Sequence, residues 1–400
     1  MNRNSRPTLR RNLHVTSPLT TPPASPIYVP FQGSKKNFVM PTLLQQVQAC
    51  GLNGDRTDCL FRPTSSFQTI AIPKPGYWLA EQTTEKPQTY RSYLRSNYRR
   101  FTKSHRKLYL LPLGSFSTVD APPLGGLAEF ARAFFPGMQV VLLPCALVKN
   151  REVTQKKMRT YERWYFNLSN RVPVTTRKHQ ALQLLTSDIH KLLVANLPKD
   201  AYCLLAVTMY DLYPQESWNY VFGEASLREG VGVFSFARYT PGFGTETKKG
   251  EPGETSSKES LNTSNQSSKV LYRSLQVMAH EVCHMFNIRH CLYFQCLMNG
   301  SNCLEESDEQ PLFLCPVDLR KLCAVLQFDV KKRYEGLLAF CQKFNGQGYS
   351  FEKEITWLKN RLCELSSIDR AKRFLDSEEL EQKEKEKSKR EHQRISTEKV

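Results

Sequence analysis

The sequence predicts an α/β sandwich, a mixed sheet packed on helices, from three observations. Apolar runs of strand length alternate with helical stretches through the middle of the chain, a longer helical stretch follows near residue 270, and a dense group of cysteines lies just beyond it. The 400 residues, 40% of them hydrophobic, leave room for one large domain or two ordinary ones with a real core.

Taken in order, residues 108–111 read as a strand, residues 124–135 as an amphipathic helix closed by Pro136 and Gly137, and residues 139–145 as a buried strand. Residues 181–196 repeat apolar side chains at helical spacing (Leu182, Leu185, Ile189, Leu192, Leu193), and residues 202–209 form an apolar, partly β-branched strand. Residues 230–239 are a further strand whose glycines let a second backbone come close; it suits either an edge for an extended peptide or a plain internal position. The polar stretch 240–268 reads as a flexible surface loop, after which a helix runs from near Lys269 to about Phe286.

The ends differ from this middle. The first 54 residues hold no acidic side chain and are rich in Ser, Thr, Pro and Arg, which predicts a disordered basic arm over 1–60 ahead of a globular domain over 61–365. Residues 366–400 form a charged tail or solvated helix. Of the formal charge of +18, +13 falls in residues 1–110, where 17 basic side chains face only Asp55, Asp58, Glu81 and Glu85. Because the remainder is nearly balanced, nucleic acid is not the expected partner of the core.

No stretch near Met1 has the length and flanks of a signal peptide, so the twelve cysteines are expected to be reduced thiols in an intracellular, cytoplasmic or nuclear protein. The basic start also resembles a mitochondrial transit peptide, although its prolines oppose the amphipathic helix such a signal needs. No run approaches the roughly 18 apolar residues that span a bilayer, and Pro144 interrupts the nearest, so no membrane partner is expected.

Chemistry concentrates in His280-Glu281-Val282-Cys283-His284, an HExxH pattern. On a helix the two histidines share one face, so both imidazoles can bind a single ion while Glu281 points to its open side. His290 follows six residues after His284, as in the longer HExxHxxGxxH pattern of metzincins, in which the chain leaves the helix and turns back. Asn287 stands where that pattern holds glycine, and asparagine is the next most tolerant residue of a left-handed turn. Met298 is placed where a methionine turn would floor the metal, though an ordinary core methionine fits it as well. Three neutral histidines leave one zinc position for water, which Glu281 can deprotonate. Beyond them Cys291, Cys296, Cys303, Cys315 and Cys323 fall within 33 residues, which points to a second, soft-ligand metal site against the alternative of buried thiols.

Residues 280–321, with Cys291, Cys296, Met298 and the Cys315-Pro316 pair, resemble the archaemetzincin family, and so do 209–223 and 235–239; the likeness covers roughly 108–328. It implies a metzincin-like zinc-peptidase sandwich with a C-terminal zinc-bound subdomain, acting on peptide or protein substrates as a monomer. It further implies two zinc ions: a catalytic one on His280, His284 and His290 with Glu281 as proton acceptor, and a structural one on Cys291, Cys296, Cys315 and the position three residues later. That position is Asp318, where the family has cysteine; Cys303 or Cys323 could substitute for it. Two other readings compete. Asn287 and Asp318 favour a catalytically impaired pseudoenzyme or binding module, and the basic region with the cysteines suits a nucleic-acid-binding zinc protein.

Overall fold

A computed structural model describes residues 39–52, 58–81, 85–96, 101–118, 120–156, 159–240, 243 and 259–397. Ahead of the first strand lie three short helices, α1 (Leu43–Cys50), α2 (Trp78–Glu81) and α3 (Tyr90–Leu94). The first has both boundary signals: Thr42 and Gln45 form a reciprocal capping box, and Gly51 closes it at φ 67°. Ala49 and Cys50 are fully buried. The expected disordered arm over 1–60 is therefore corrected at its end, because the cap and the glycine specify a helix inside a window whose average composition looks unstructured. The rest of that expectation, over 1–38, lies outside the described residues.

The strands β1 (Lys107–Leu113) and β2 (Gln139–Leu142) flank α4 (Leu124–Phe134) and pair in parallel. There follow β3 (Val148–Lys156), β4 (Arg159–Phe166), β5 (Val174–Lys178) and β6 (Leu182–Leu185), successively antiparallel. Next come α5 (Thr186–Ala195), β7 (Ala201–Thr208), β8 (Asp211–Tyr213), β9 (Gly223–Ser226) and β10 (Val231–Ser235). They make two five-stranded sheets, ordered β2-β1-β7-β10-β9 and β3-β4-β5-β6-β8. The first is parallel except for β9, which runs antiparallel along β10 at the edge.

That first sheet is buried on both faces, as the continuous apolar runs of β1 and β7 require. Leu108 and Leu110 with Cys203, Leu205 and Val207 join one core. Tyr109, Leu111 and Leu113 with Leu204 and Ala206 join the other, against α5 and the second sheet. Five helices complete the first core: α6 (Glu259–Met285), α7 (Leu304–Asp308), α8 (Pro316–Leu326), α9 (Val330–Asn345) and α10 (Glu352–Thr397). The fold is thus the expected α/β one, with two sheets packed on helices.

Three local expectations change. Residues 181–196 split into β6 and α5, since Leu182 and Leu184 serve a strand pairing with β5 and β8 before the helical spacing takes over. The strand expected over 230–239 shortens to β10, with a 3-10 turn over Ala237–Tyr239, and of its two expected positions it takes the internal one, bonding β7 on one side and β9 on the other. The helix expected from Lys269 begins at Glu259, so the polar stretch ends sooner, and residues 244–258 of the expected loop lie outside the described residues. All twelve cysteines are free, and among the described residues no helix is long and apolar enough to cross a membrane.

The α4–α9 contact rests on Gly126, where an added Cβ would lie 2.9 Å from the Phe344 ring. Alanine there gains about 1 kcal/mol of helix propensity and loses some packing, so leucine is the decisive replacement. Gly126→Leu is expected to destabilise the fold by about 1–3 kcal/mol, read from the urea midpoint; an unshifted midpoint would show that the helices do not pack closely there.

Candidate metal centre

The apolar face of α6 (Leu271, Leu275, Met278, Ala279, Val282) is fully buried against the first sheet and the other helices, which fixes the rotation of the helix and turns His280 and Glu281 toward a cavity that His290 also lines. The helix ends in a reversal at Asn287, whose φ of 60° is the left-handed conformation expected there. Asn287 N–H donates to His284 O at 2.8 Å and Ile288 N–H to Cys283 O at 3.2 Å. Other parts of the chain satisfy the remaining carbonyls: Tyr202 donates to Met285 O, Tyr93 to Phe286 O and the Gln88 amide to Asn287 O. His290 is thereby carried back to the first two histidines, with ring centroids 4.5 Å (His280–His284), 4.9 Å (His284–His290) and 5.3 Å (His280–His290) apart.

Each ring is held through Nδ1. His280 Nδ1 meets Leu297 O at 2.9 Å, His284 Nδ1 meets Ile288 O at 2.7 Å, and His290 Nδ1 meets a Glu85 carboxylate oxygen at 2.9 Å. Since these partners only accept, Nδ1 carries the proton in all three, and Nε2 presents the lone pair. Burial, then the neighbouring His290, pushes His280 down to about 3. Burial likewise holds His284 well below the usual range, so both rings stay neutral, the form that ligates a metal. One donor atom from each of the three residues lies within 4.8 Å of the others. Three nitrogen donors at one point fit zinc with an open position.

Glu281 is 8% exposed and lines the same cavity. Burial raises its carboxyl to about 7, and the charge of Glu224 on β9 adds to the shift. Thr186 donates to the Glu224 carboxylate. Met298 is fully buried, and its carbonyl accepts from Cys291 N–H at 2.7 Å, closing the loop that sets Leu297 O against His280.

Sequence reasoning missed the segment before β1. Trp78 is 3% exposed and packs edge-on against His290 with centroids 4.6 Å apart. Its backbone N–H is held by both oxygens of Glu306, and its indole fills the space a side chain at Gly300 would take, where a Cβ would come within 2.7 Å of three ring atoms. Glu85 and Gln88 grip the 287–290 turn, Gln88 also accepting from Arg289 N–H. The one signal available was charge: Glu85 is one of four acidic residues in a strongly basic quarter of the chain.

The second predicted group also assembles. Cys291, Cys296, Cys315 and Asp318 are buried, with one donor atom from each within 4.8 Å of the others. Asp318 Oδ2 lies 3.3 Å from Cys296 Sγ and 3.4 Å from Cys315 Sγ, while Oδ1 accepts from Lys321 Nζ at 2.7 Å in an ion pair whose members are at most 1% exposed. Burial raises Asp318 to about 6 against the pull of Lys321. Burial would raise Cys291 as well, but hydrogen bonds from Cys296 and Cys315 outweigh it and hold that thiol well below its usual range. The substitutes are placed elsewhere: Cys303 caps α7, and Cys323 Sγ faces Phe328 O. Three sulfurs and one oxygen suit a closed zinc site.

No family model matches the chain. Archaemetzincin-2 of Macaca fascicularis is 36% identical over 291 residues, covering 70% of this chain and 76% of that protein; archaemetzincin-2 of Homo sapiens gives the same values. Archaemetzincin-1 of Rattus norvegicus is 31% identical over 284 residues, covering 68% of this chain and 53% of its own. The crystal structure of archaemetzincin from Methanopyrus kandleri overlays 56% of this chain and 98% of its own, with a TM-score of 0.36 and 20% identity.

The turn itself is open to test. Asn287→Ala places a Cβ-bearing residue without a polar side chain at φ 60°, and is expected to cost about 1–2 kcal/mol in denaturant unfolding. Asn287→Gly should stay within about 0.5 kcal/mol of the parent, because glycine adopts this conformation without strain. Equal losses for the two would mean that backbone conformation does not govern this position.

Proposed function

The chain belongs to the archaemetzincin family, and on that premise we propose that it is a zinc-dependent metallopeptidase. His280, His284 and His290 hold the catalytic ion, and Glu281 is the proton acceptor. The observation that carries this reading is the convergence of three lone-pair nitrogens beside a cavity that Glu281 also lines.

A bound zinc ion supplies Lewis acidity, which polarises the scissile carbonyl and makes a water molecule easier to deprotonate. Glu281 takes the proton of the attacking water and returns it to the amine nitrogen as the C–N bond breaks, a double role that suits a carboxyl lifted toward neutrality by burial. Leu297 O, Ile288 O and the Glu85 carboxylate fix the three rings, so no reorganisation is needed at the moment of reaction. Trp78 walls the cavity against solvent. An extended peptide pairs along β9, the edge strand that follows Phe222 at the cavity wall, and not along the internal β10.

The Cys291, Cys296, Cys315 and Asp318 group holds a second, structural zinc that ties the 291–296 loop to the start of α8. Lys321 occupies Oδ1 of Asp318 and so leaves Oδ2 to face the metal. The impaired-enzyme reading rested on Asn287 and Asp318; the left-handed turn at the first and the sulfur contacts of the second weigh against it. A zinc-finger reading is disfavoured by the burial of all four donors in the cysteine group.

Metal analysis of purified protein should return two zinc ions per chain for the parent and one each for His284→Ala and Cys296→Ala. Glu281→Gln should keep both ions and lose peptide cleavage by about 100-fold or more. Well-folded parent protein without zinc would overturn both assignments. In chelator competition, Glu85→Gln is expected to weaken metal retention about tenfold to a hundredfold, since it removes the carboxylate that holds the His290 ring.

A further inference from the structure

Trp78 is held in place through its backbone and through its ring. Glu306 accepts its backbone N–H with both carboxylate oxygens, at 2.9 and 3.0 Å, and also accepts from Asn302 N–H at 2.7 Å. The Asn302 amide in turn donates to Gly76 O at 3.1 Å, so the chain on either side of this clamp is joined twice. The indole lies in the slot left open at Gly300 and meets the His290 ring edge-on. Moving it would break these bonds and empty the slot, which a close-packed interior resists.

The cavity that this indole walls is small. It measures about 50 Å³, space for roughly four water-sized groups. Its lining runs from His280, Glu281 and His290, where the proposed chemistry takes place, to Val277, Leu304 and Ser307. The α7 side is also fixed. The Gln276 amide donates to Ser307 O at 3.0 Å and to Gln310 O at 2.8 Å, which bonds α6 to the end of α7 and to the chain just after it. Neither wall is free to retreat from an incoming group.

The geometry points to a size-limited substrate subsite, in which Trp78 sets the depth available to a side chain next to the cleaved bond and restricts it to small aliphatic residues, from alanine to leucine. A leucine side chain fills roughly the space present, and a phenyl ring needs nearly twice as much. Part of the volume lies at the metal end, so this limit is an upper one. A larger group would have to push the indole from its slot or part α6 from α7, and a surplus of even one methylene in an apolar pocket changes discrimination about tenfold or more. Trp78 is thus a specificity determinant supplied by the segment ahead of the first strand, and its role rests on the peptidase reading above.

The test is a mixture-based peptide library cleaved by the zinc-loaded full chain. At one position next to the cut bond, Ala, Val and Leu should be preferred about tenfold or more over Phe, Tyr and Trp, and Trp78→Ala should bring that ratio toward one or invert it while the protein keeps its zinc. Equal use of small and aromatic residues by the parent, or a preference unaltered in zinc-loaded Trp78→Ala, overturns the subsite. Should the alanine variant lose zinc or fail to fold, Trp78→Phe, which keeps a ring against His290 and frees less space, should move the ratio the same way; an unmoved ratio overturns the assignment. Absence of any cleavage by the parent would instead sink the peptidase reading. Calorimetric titration of zinc-loaded Glu281→Gln protein with peptides differing only in valine or phenylalanine then decides the subsite: tighter binding of the valine peptide supports it, and equal or absent binding overturns it.

Discussion

The reversal of the chain at the end of α6 is the constraint on which the rest depends. Two histidines one turn apart on a helix always lie near each other, but a third ring reaches them only if the backbone leaves the helix within two residues and doubles back. Asn287 takes the left-handed conformation that permits this, and Tyr93, Tyr202 and Gln88 satisfy the carbonyls that the ending helix exposes. An unsatisfied buried carbonyl costs about 1–3 kcal/mol, so three such bonds at one turn outweigh the modest strain of a non-glycine residue there.

The same short segment serves both groups of donors. His290 and Cys291 are adjacent, Leu297 O orients His280, and Cys296 stands next to Leu297 among the sulfur donors. The hydrogen bond from Cys291 N–H to Met298 O closes the loop between them. The rings therefore owe part of their placement to the cysteine group, even though its members are buried away from the cavity that Glu281 lines. The two groups share the backbone geometry of the 290–298 segment.

Much of this was legible in residue types and spacings. Strands β1 and β7, helix α4 and the end of α6 carry continuous or periodic apolar patterns, and the eight donor and acceptor residues are adjacent in sequence or repeat at ligand spacing. What was not legible depends on pairing between distant segments. The internal position of β10 follows from β9 adding to the sheet, and the division of 181–196 into β6 and α5 follows from a strand partner at β5. Helix α1 was hidden by the composition around it, although Thr42, Gln45 and Gly51 marked both its ends. Glu85 and Trp78 belong to no motif, and only the folded chain shows that they lie against His290.

That last contact bears on where the functional unit begins. A fragment starting at β1 would retain all seven proposed metal-binding side chains together with Glu281, and by its sequence alone would look complete. It would lack the carboxylate that orients His290 and the indole that walls the cavity, and Tyr93 and Gln88 would no longer cap the turn. The stretch before the first strand is thus an integral part of the centre, and a minimal working version of this protein has to reach back at least to the loop ahead of Trp78.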